Sequence, residues 1–72
     1  MAKDSVYRIT ELVGTSKKSW EEAASNAVAA ASKTLRDLRV AEIMKLDMVV
    51  ENGKVTSYRA KVALSFKYDP KK

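Results

Sequence analysis

The sequence contains no cysteine and no histidine, one proline, two glycines and only 7% aromatic residues. Without cysteine there is no disulfide, and without either residue there is no zinc site of the usual Cys/His kind. The same absences remove the Ser-His-Asp triad, the Cys-His dyad and the imidazole that moves protons near neutral pH. The chain is therefore read as a binding or structural protein and not an enzyme. No apolar run approaches the roughly 18 residues of a membrane span, and the opening Met1-Ala2-Lys3-Asp4 lacks the apolar stretch of a secretory signal. The expected setting is the cytoplasm, without a membrane partner.

What is present is a short, basic, well-mixed chain. Its 72 residues carry 14 Lys plus Arg against 9 Asp plus Glu, a formal charge of +5, with 46% apolar residues. That length holds a single domain, taken as residues 1–72. A chain this small buries only about 60% of the surface its unfolded form exposes. One core at this size rarely supplies more than about 3–5 kcal/mol. With disulfides and zinc excluded, association with further copies is the remaining common source of stability.

Three segments read as strands and one as a helix. Residues 5–13 (SVYRITELV) are rich in β-branched and aromatic types, alternate Tyr7, Ile9 and Val13 against Arg8 and Thr10, and stop at Gly14. Ser19-Trp20-Glu21-Glu22 has the form of a capping box, with the Ser19 hydroxyl accepting from the Glu22 amide and the Glu22 carboxylate reaching back. From there Trp20, Ala23, Ala24, Ala27, Val28, Ala31, Leu35 and Leu38 recur at spacings of three and four, a thin apolar stripe that lets a helix sit close to a sheet. Glu21 and Glu22 at its start and Arg36 near its end suit the helix dipole. Residues 40–50 (VAEIMKLDMVV) read as the second strand, Asn52-Gly53 as a type I′ turn, and 55–68 as the third strand. On that third strand Tyr58, Ala60, Val62, Leu64, Phe66 and Tyr68 alternate with Ser57, Arg59, Lys61, Ser65 and Lys67. The tail Asp69-Pro70-Lys71-Lys72 reads as a frayed end.

A two-residue turn at Asn52-Gly53 fixes a register. Glu51 then faces Lys54, Asp47 faces Tyr58, Ile43 faces Val62 and Ala41 faces Leu64, all on the helix side. The opposite side would carry Val40, Met44, Leu46, Met48 and Val50 in water. Either a bulge re-aims some of them or other copies of the chain cover that face, and the second reading is the simpler.

The order strand, helix, strand, strand resembles the dodecins, on the segments VYRITELVGTS, TLRDLRVAEI, ENGKV and the closing SFKY, over residues 5–68. The resemblance implies an α+β fold of β-α-β-β order, in which a three-stranded antiparallel sheet partly wraps one helix. It also implies assembly of twelve copies into a hollow dodecamer. Dodecins typically store or sequester flavins in pairs near subunit interfaces, and some hold coenzyme A.

Residue by residue, the flavin site is altered. The family tryptophan that stacks on the isoalloxazine ring corresponds to Val40, the glutamine at the ring edge to Arg59, and an arginine used towards ligand phosphates to Asp47. Valine cannot replace an indole as a stacking surface. Guanidinium donates only, whereas the amide both donates and accepts. Flavin is therefore not expected as a ligand in the usual way. Trp20 lies on the helix stripe and reads as core packing.

The departures, with the SW-E-x-A helix start, resemble a flavin-free branch of the family for which calcium binding has been proposed. Calcium takes six to eight oxygens, and no EF-hand loop is present. Candidate carboxylates are Glu11, Glu42, Asp47 and Glu51, with Asp47 and Glu42 foremost, gathered in copies around a symmetry axis. Against this, Asp47 could simply bond Tyr58 or pair with Arg59 or Lys45, and Glu42 could pair with Lys61 or Arg59 across subunits. The expected subunit interface holds Val40, Glu42, Met44, Leu46, Met48 and Lys61. Two other readings compete: flavin or coenzyme A sequestration by a divergent site, and a basic module for nucleic acid or acidic surfaces built on Arg59, Lys61, Lys67 and Tyr68. No RNA-binding motif accompanies that basic stripe.

Overall fold

The computed structural model describes residues 6–68. The expected strand start at Ser5 and the tail from Asp69 onward lie outside the described residues. The elements are β1 (Tyr7–Ser16), α1 (Trp20–Ser32), β2 (Leu38–Glu51) and β3 (Lys54–Lys67). The sheet is antiparallel with β3 in the centre, in the order β1-β3-β2. This is the β-α-β-β arrangement expected from the sequence.

Gly14 does not end the first strand; β1 continues through it to Ser16. A Cβ at Gly14 would overlap the Ala23 carbonyl oxygen and stand 3.0 Å from the Ala27 Cβ. The missing side chain is what lets α1 lie directly on β1, against Ala60 of the facing strand. Alanines on the helix complete this close approach: Ala23, Ala27 and Ala31 are buried with Ala60, Val62 and Leu64. Leu12, Ala24, Val28, Leu35 and Leu38 pack around them.

The helix is shorter than its apolar stripe. It ends at Ser32, and Leu35 and Leu38 follow outside it. The Leu35 amide still bonds the Ala31 carbonyl at 2.8 Å, but Asp37 adopts φ 60°, a left-handed conformation that turns the chain into β2. Leu35 and Leu38 therefore pack on the core from a connector and a strand, and Arg36 lies beyond the last helical turn. At the other end Ser19 caps α1 as expected, accepting from the Glu22 amide at 3.0 Å. The Glu22 carboxylate does not reach back to Ser19; it accepts from the buried Ser16 hydroxyl at 2.6 Å. That oxygen in turn accepts from the Lys18 amide at 2.9 Å. Serine at the end of β1 thus ties the turn to the helix.

The hairpin turn is as read, with Asn52 at φ 53° and Gly53 at φ 75°. Glu51 faces Lys54, Ile43 faces Val62 and Ala41 faces Leu64. Between them the register slips. Beyond Val50, Val49 faces Ser57, and Asp47 consequently faces Arg59 instead of Tyr58. A second slip between Ile43 and Lys45 restores the original pairing. Because side chains alternate along a strand, a one-residue slip exchanges the two faces. Leu46 and Met48 therefore sit opposite Ala60 and Tyr58 on the helix side, contrary to the unslipped register, while Lys45 and Asp47 turn to the far side.

A 14-residue strand runs about 46 Å at ~3.3 Å per residue, whereas a 13-residue helix covers about 20 Å. The helix lies over β1 and β3 and barely reaches β2. Leu46 and Met48, although on the helix side, remain 50% and 45% exposed. On the far face Ile9 is 65% and Val40 57% exposed. The protomer leaves apolar residues in water on both sides of its sheet.

Candidate functional site

On the face away from the helix the strands set residues in rows. Thr15, Arg59 and Asp47 form one; Val13, Lys61 and Lys45 the next; Glu11, Ala63 and Glu42 a third; Ile9, Ser65 and Val40 a fourth. In the first row the Asp47 carboxylate accepts two hydrogen bonds from Arg59, Nε to Oδ1 and Nη2 to Oδ2, both at 2.7 Å. This side-on fork is the strong geometry for an arginine and a carboxylate. The hydrogen bond from Arg59, with its positive charge and that of Lys45, holds the Asp47 carboxyl below its ordinary value of 3.8. Asp47 in return holds the guanidinium proton more firmly than in a free arginine.

Lys61, directly below Arg59, lies 3.4 Å from the Glu11 carboxylate. Lys45, its register partner, has no carboxylate within ion-pair distance among the described residues. Val13, Lys45, Asp47, Arg59 and Lys61 together line an open groove. Behind it, the Trp20 indole donates to the Asp47 carbonyl at 2.9 Å and meets the Tyr58 ring edge on, centroids 5.0 Å apart. Trp20 faces the sheet as expected, and it also fixes the backbone under the groove.

Of the three residues that the resemblance aligns with a flavin site, the structure brings Asp47 and Arg59 into contact. Val40 is seven residues along β2, about 23 Å at the strand rise, and pairs with Ser65. One protomer does not assemble all three. Glu42 and Asp47 are likewise separate, and no group of three or more possible metal-ligating side chains occurs among the described residues. Met44 is the unpaired residue at the second slip. The basic stripe of the sequence is largely neutralised on its own sheet, Arg59 by Asp47 and Lys61 by Glu11.

A second groove, at the far end of the helix, was not visible as a pattern. Arg8, Arg36 and Lys67 line it with Asp37, Phe66 and Tyr68. The Arg8 guanidinium stands 5.6 Å from the Tyr68 ring centre, a cation–π contact. These residues come from β1, the connector after α1 and the end of β3, so only the folded chain gathers them.

Comparison with known proteins agrees with this architecture. The dodecin family model matches residues 6–69. The calcium dodecin of Mycobacterium tuberculosis is 42% identical over 66 residues, spanning 92% of this chain and 93% of that protein. Its structure, described as that of a calcium-chelating immunodominant antigen with a novel calcium-binding site, superposes with a TM-score of 0.80, covering 94% of this chain and 97% of that one. Dodecin from Streptomyces coelicolor superposes with a TM-score of 0.87 at 35% identity, covering 94% and 97% of the two chains. A match across nearly the full length, in sequence and in fold, places this chain in the dodecin family.

Proposed function

We propose that the chain works as a dodecin-type closed shell of about twelve copies, a symmetric homo-oligomer, that holds a small ligand or ion, calcium in particular, and performs no catalysis. The observation that carries this reading is the uncovered apolar surface on both faces of the sheet, Ile9 and Val40 on one side and Leu46 and Met48 on the other. At about 25 cal/mol per Å² removed from water, such residues gain substantially from contact between copies. The interface is assigned to Val40, Glu42, Met44, Leu46, Met48 and Lys61.

Calcium is favoured by the 42% identity to calcium dodecin. Among the described residues no three possible metal-ligating side chains come together, so the six to eight oxygens that calcium takes are supplied by several copies. Glu42 is the better placed of the two candidate carboxylates, because it has no ion partner among the described residues, whereas Asp47 is already held by Arg59. Flavin stacking is disfavoured by Val40 and by the closed Asp47–Arg59 fork.

Light scattering tests the shell and calorimetric calcium titration tests the ion. The expected results are about twelve chains per particle and saturable binding that Glu42→Gln removes. A monomer at micromolar concentration overturns the first, and calcium binding that is absent or indifferent to Glu42 overturns the second. The basic, aromatic groove of Arg8, Arg36, Lys67 and Tyr68 supports a second reading, sequestration of a phosphate-bearing ligand such as coenzyme A. In that case Arg36→Gln weakens coenzyme A binding.

A further inference from the structure

β2 carries an extra residue at Met44 and β3 one at Thr56, and the two offset each other. Residues 40–43 and 50–51 keep the register that the Asn52-Gly53 turn dictates, whereas residues 45–49 are displaced by one. A ladder without either bulge would set Met48 opposite Ser57, Asp47 opposite Tyr58 and Leu46 opposite Arg59, with the whole segment turned over. The displaced register gives up that unbroken ladder, so some contact must favour it.

Burial favours it weakly. The helix barely reaches β2, and Leu46 and Met48 stay about half exposed beneath it. The Asp47–Arg59 fork belongs to the displaced register, but its side chains are also about half exposed, where ion pairs contribute little. The Thr56 hydroxyl donates to the Val49 carbonyl at 3.3 Å, a long bond at the bulge itself.

Trp20 acts from outside the hairpin. Its indole N–H donates to the Asp47 backbone carbonyl at 2.9 Å, the one hydrogen bond between α1 and β2 among the described residues. The ring is steadied edge on by Tyr58 and lines a cleft with Ile43 and Leu46. Along a strand the carbonyls alternate in direction together with the side chains. Turning residues 45–49 over would therefore carry the Asp47 carbonyl to the opposite edge of β2, away from the indole. The donor finds this acceptor in only one of the two registers.

We propose that Trp20 is a positioning residue whose indole N–H selects the displaced register of residues 45–49, and so sets Asp47 beside Arg59 on the far face and Leu46 and Met48 on the helix side. The selection operates within one protomer and does not rest on calcium or on the shell.

The chain has no cysteine, so engineered pairs report the register without background. Val49→Cys with Ser57→Cys places two thiols directly opposite on one face in the displaced register; Met48→Cys with Ser57→Cys does so in the unbroken one. Thiols on opposite faces of a sheet cannot meet the geometry of a disulfide. Each pair is equilibrated in oxidised and reduced glutathione, and nonreducing electrophoresis separates bridges within a chain from bridges between copies. With Trp20 present the 49–57 bridge should form and the 48–57 bridge should not. Trp20→Phe keeps a ring and removes the donor; it should shift the ratio of the two bridges about fivefold towards 48–57, the loss of one neutral hydrogen bond. Should circular dichroism show that Trp20→Phe does not fold, a synthetic chain with benzothienylalanine at position 20, in which sulfur replaces the indole N–H at nearly constant shape, makes the same comparison. An unchanged ratio without the donor, or a 48–57 bridge that forms as readily as 49–57 in the chain that keeps Trp20, overturns the proposal.

Discussion

The Asp47 carboxylate and the Arg59 guanidinium meet side on across the β2–β3 ladder, with both hydrogen bonds at 2.7 Å. The pair lies on the face of the sheet away from the helix, and it exists there because β2 slips by one residue on either side of it. Each side chain is the other's hydrogen-bond partner.

That pairing gives a pH dependence of definite sign. Asp47 titrates lower in the folded chain than in the unfolded one, so its contribution to stability is complete above the ordinary value of 3.8 and is lost as the pH falls below it. Arg59 stays charged throughout. The side chains are about half exposed, so the effect is modest. Urea denaturation of the wild type and Asp47→Asn from pH 6 down to pH 2 measures it: the two curves should converge at the acid end. A constant gap across that range would show that the fork is not what Asp47 contributes.

Apolar residues on the two faces test the assembly independently. Ile9→Asp alters the far face and Leu46→Asp the helix side of β2. Each position is at least half exposed in the protomer, so a lone chain should tolerate either change. In a shell each would bury a carboxylate at every copy of its contact, which costs several kcal/mol per ion. Both variants should therefore elute as smaller species with their far-ultraviolet circular dichroism retained. Full-size particles from Ile9→Asp would remove the far face from the interface, and from Leu46→Asp the near one.

Element order, the helix cap and the Asn52-Gly53 turn were legible because each depends on local chemistry: a serine three residues before a glutamate, and two residues suited to positive φ. The pairing of Ile43 with Val62 was also legible, since it needs only the turn and a count. Asp47 was misplaced because the mark of the slip, Leu46 and Met48 falling on the far face in the unslipped register, had two readings, a bulge or a covering copy, and the simpler one kept the register regular. The slips on either side of residues 45–49 show that the bulge re-aims both side chains. Gly14 was misread for another reason. Its role depends on Ala23 and Ala27 pressing on it from above, a contact that no sequence window around Gly14 contains.

The close approach at Gly14 predicts a large effect from the smallest substitution. Gly14→Ala gives no relief in backbone strain and introduces a methyl where the Ala23 carbonyl oxygen already lies. The helix must move off β1, uncovering Ala60 and the buried alanines. Overpacking of this kind costs roughly 1–3 kcal/mol, and the obstructing atom is backbone, which places the cost at the upper end. Thermal unfolding should show a melting temperature lower by many degrees. An unchanged melting temperature would mean that the helix can slide along the sheet without loss.

Restoring flavin binding is a sharper test of what the altered positions do. Val40→Trp alone supplies a stacking surface worth about 0.5–1.5 kcal/mol beyond its buried area. Arg59→Gln supplies the donor and acceptor of an amide. The structure adds a requirement that the family comparison does not show: Arg59→Gln leaves the Asp47 carboxylate without its partner, a bare negative charge in the groove. Converting Asp47 to arginine at the same time removes that charge. The triple variant Val40→Trp, Asp47→Arg, Arg59→Gln should quench riboflavin fluorescence, and more strongly than the double variant that keeps Asp47. Because Val40 is about 23 Å along β2 from Asp47 and Arg59, quenching also requires Val40 of one copy to meet Arg59 of another. It should be lost when Ile9→Asp or Leu46→Asp breaks the particle. Quenching that persists in dissociated protein would show that the ring binds to a single chain, against the geometry of the sheet.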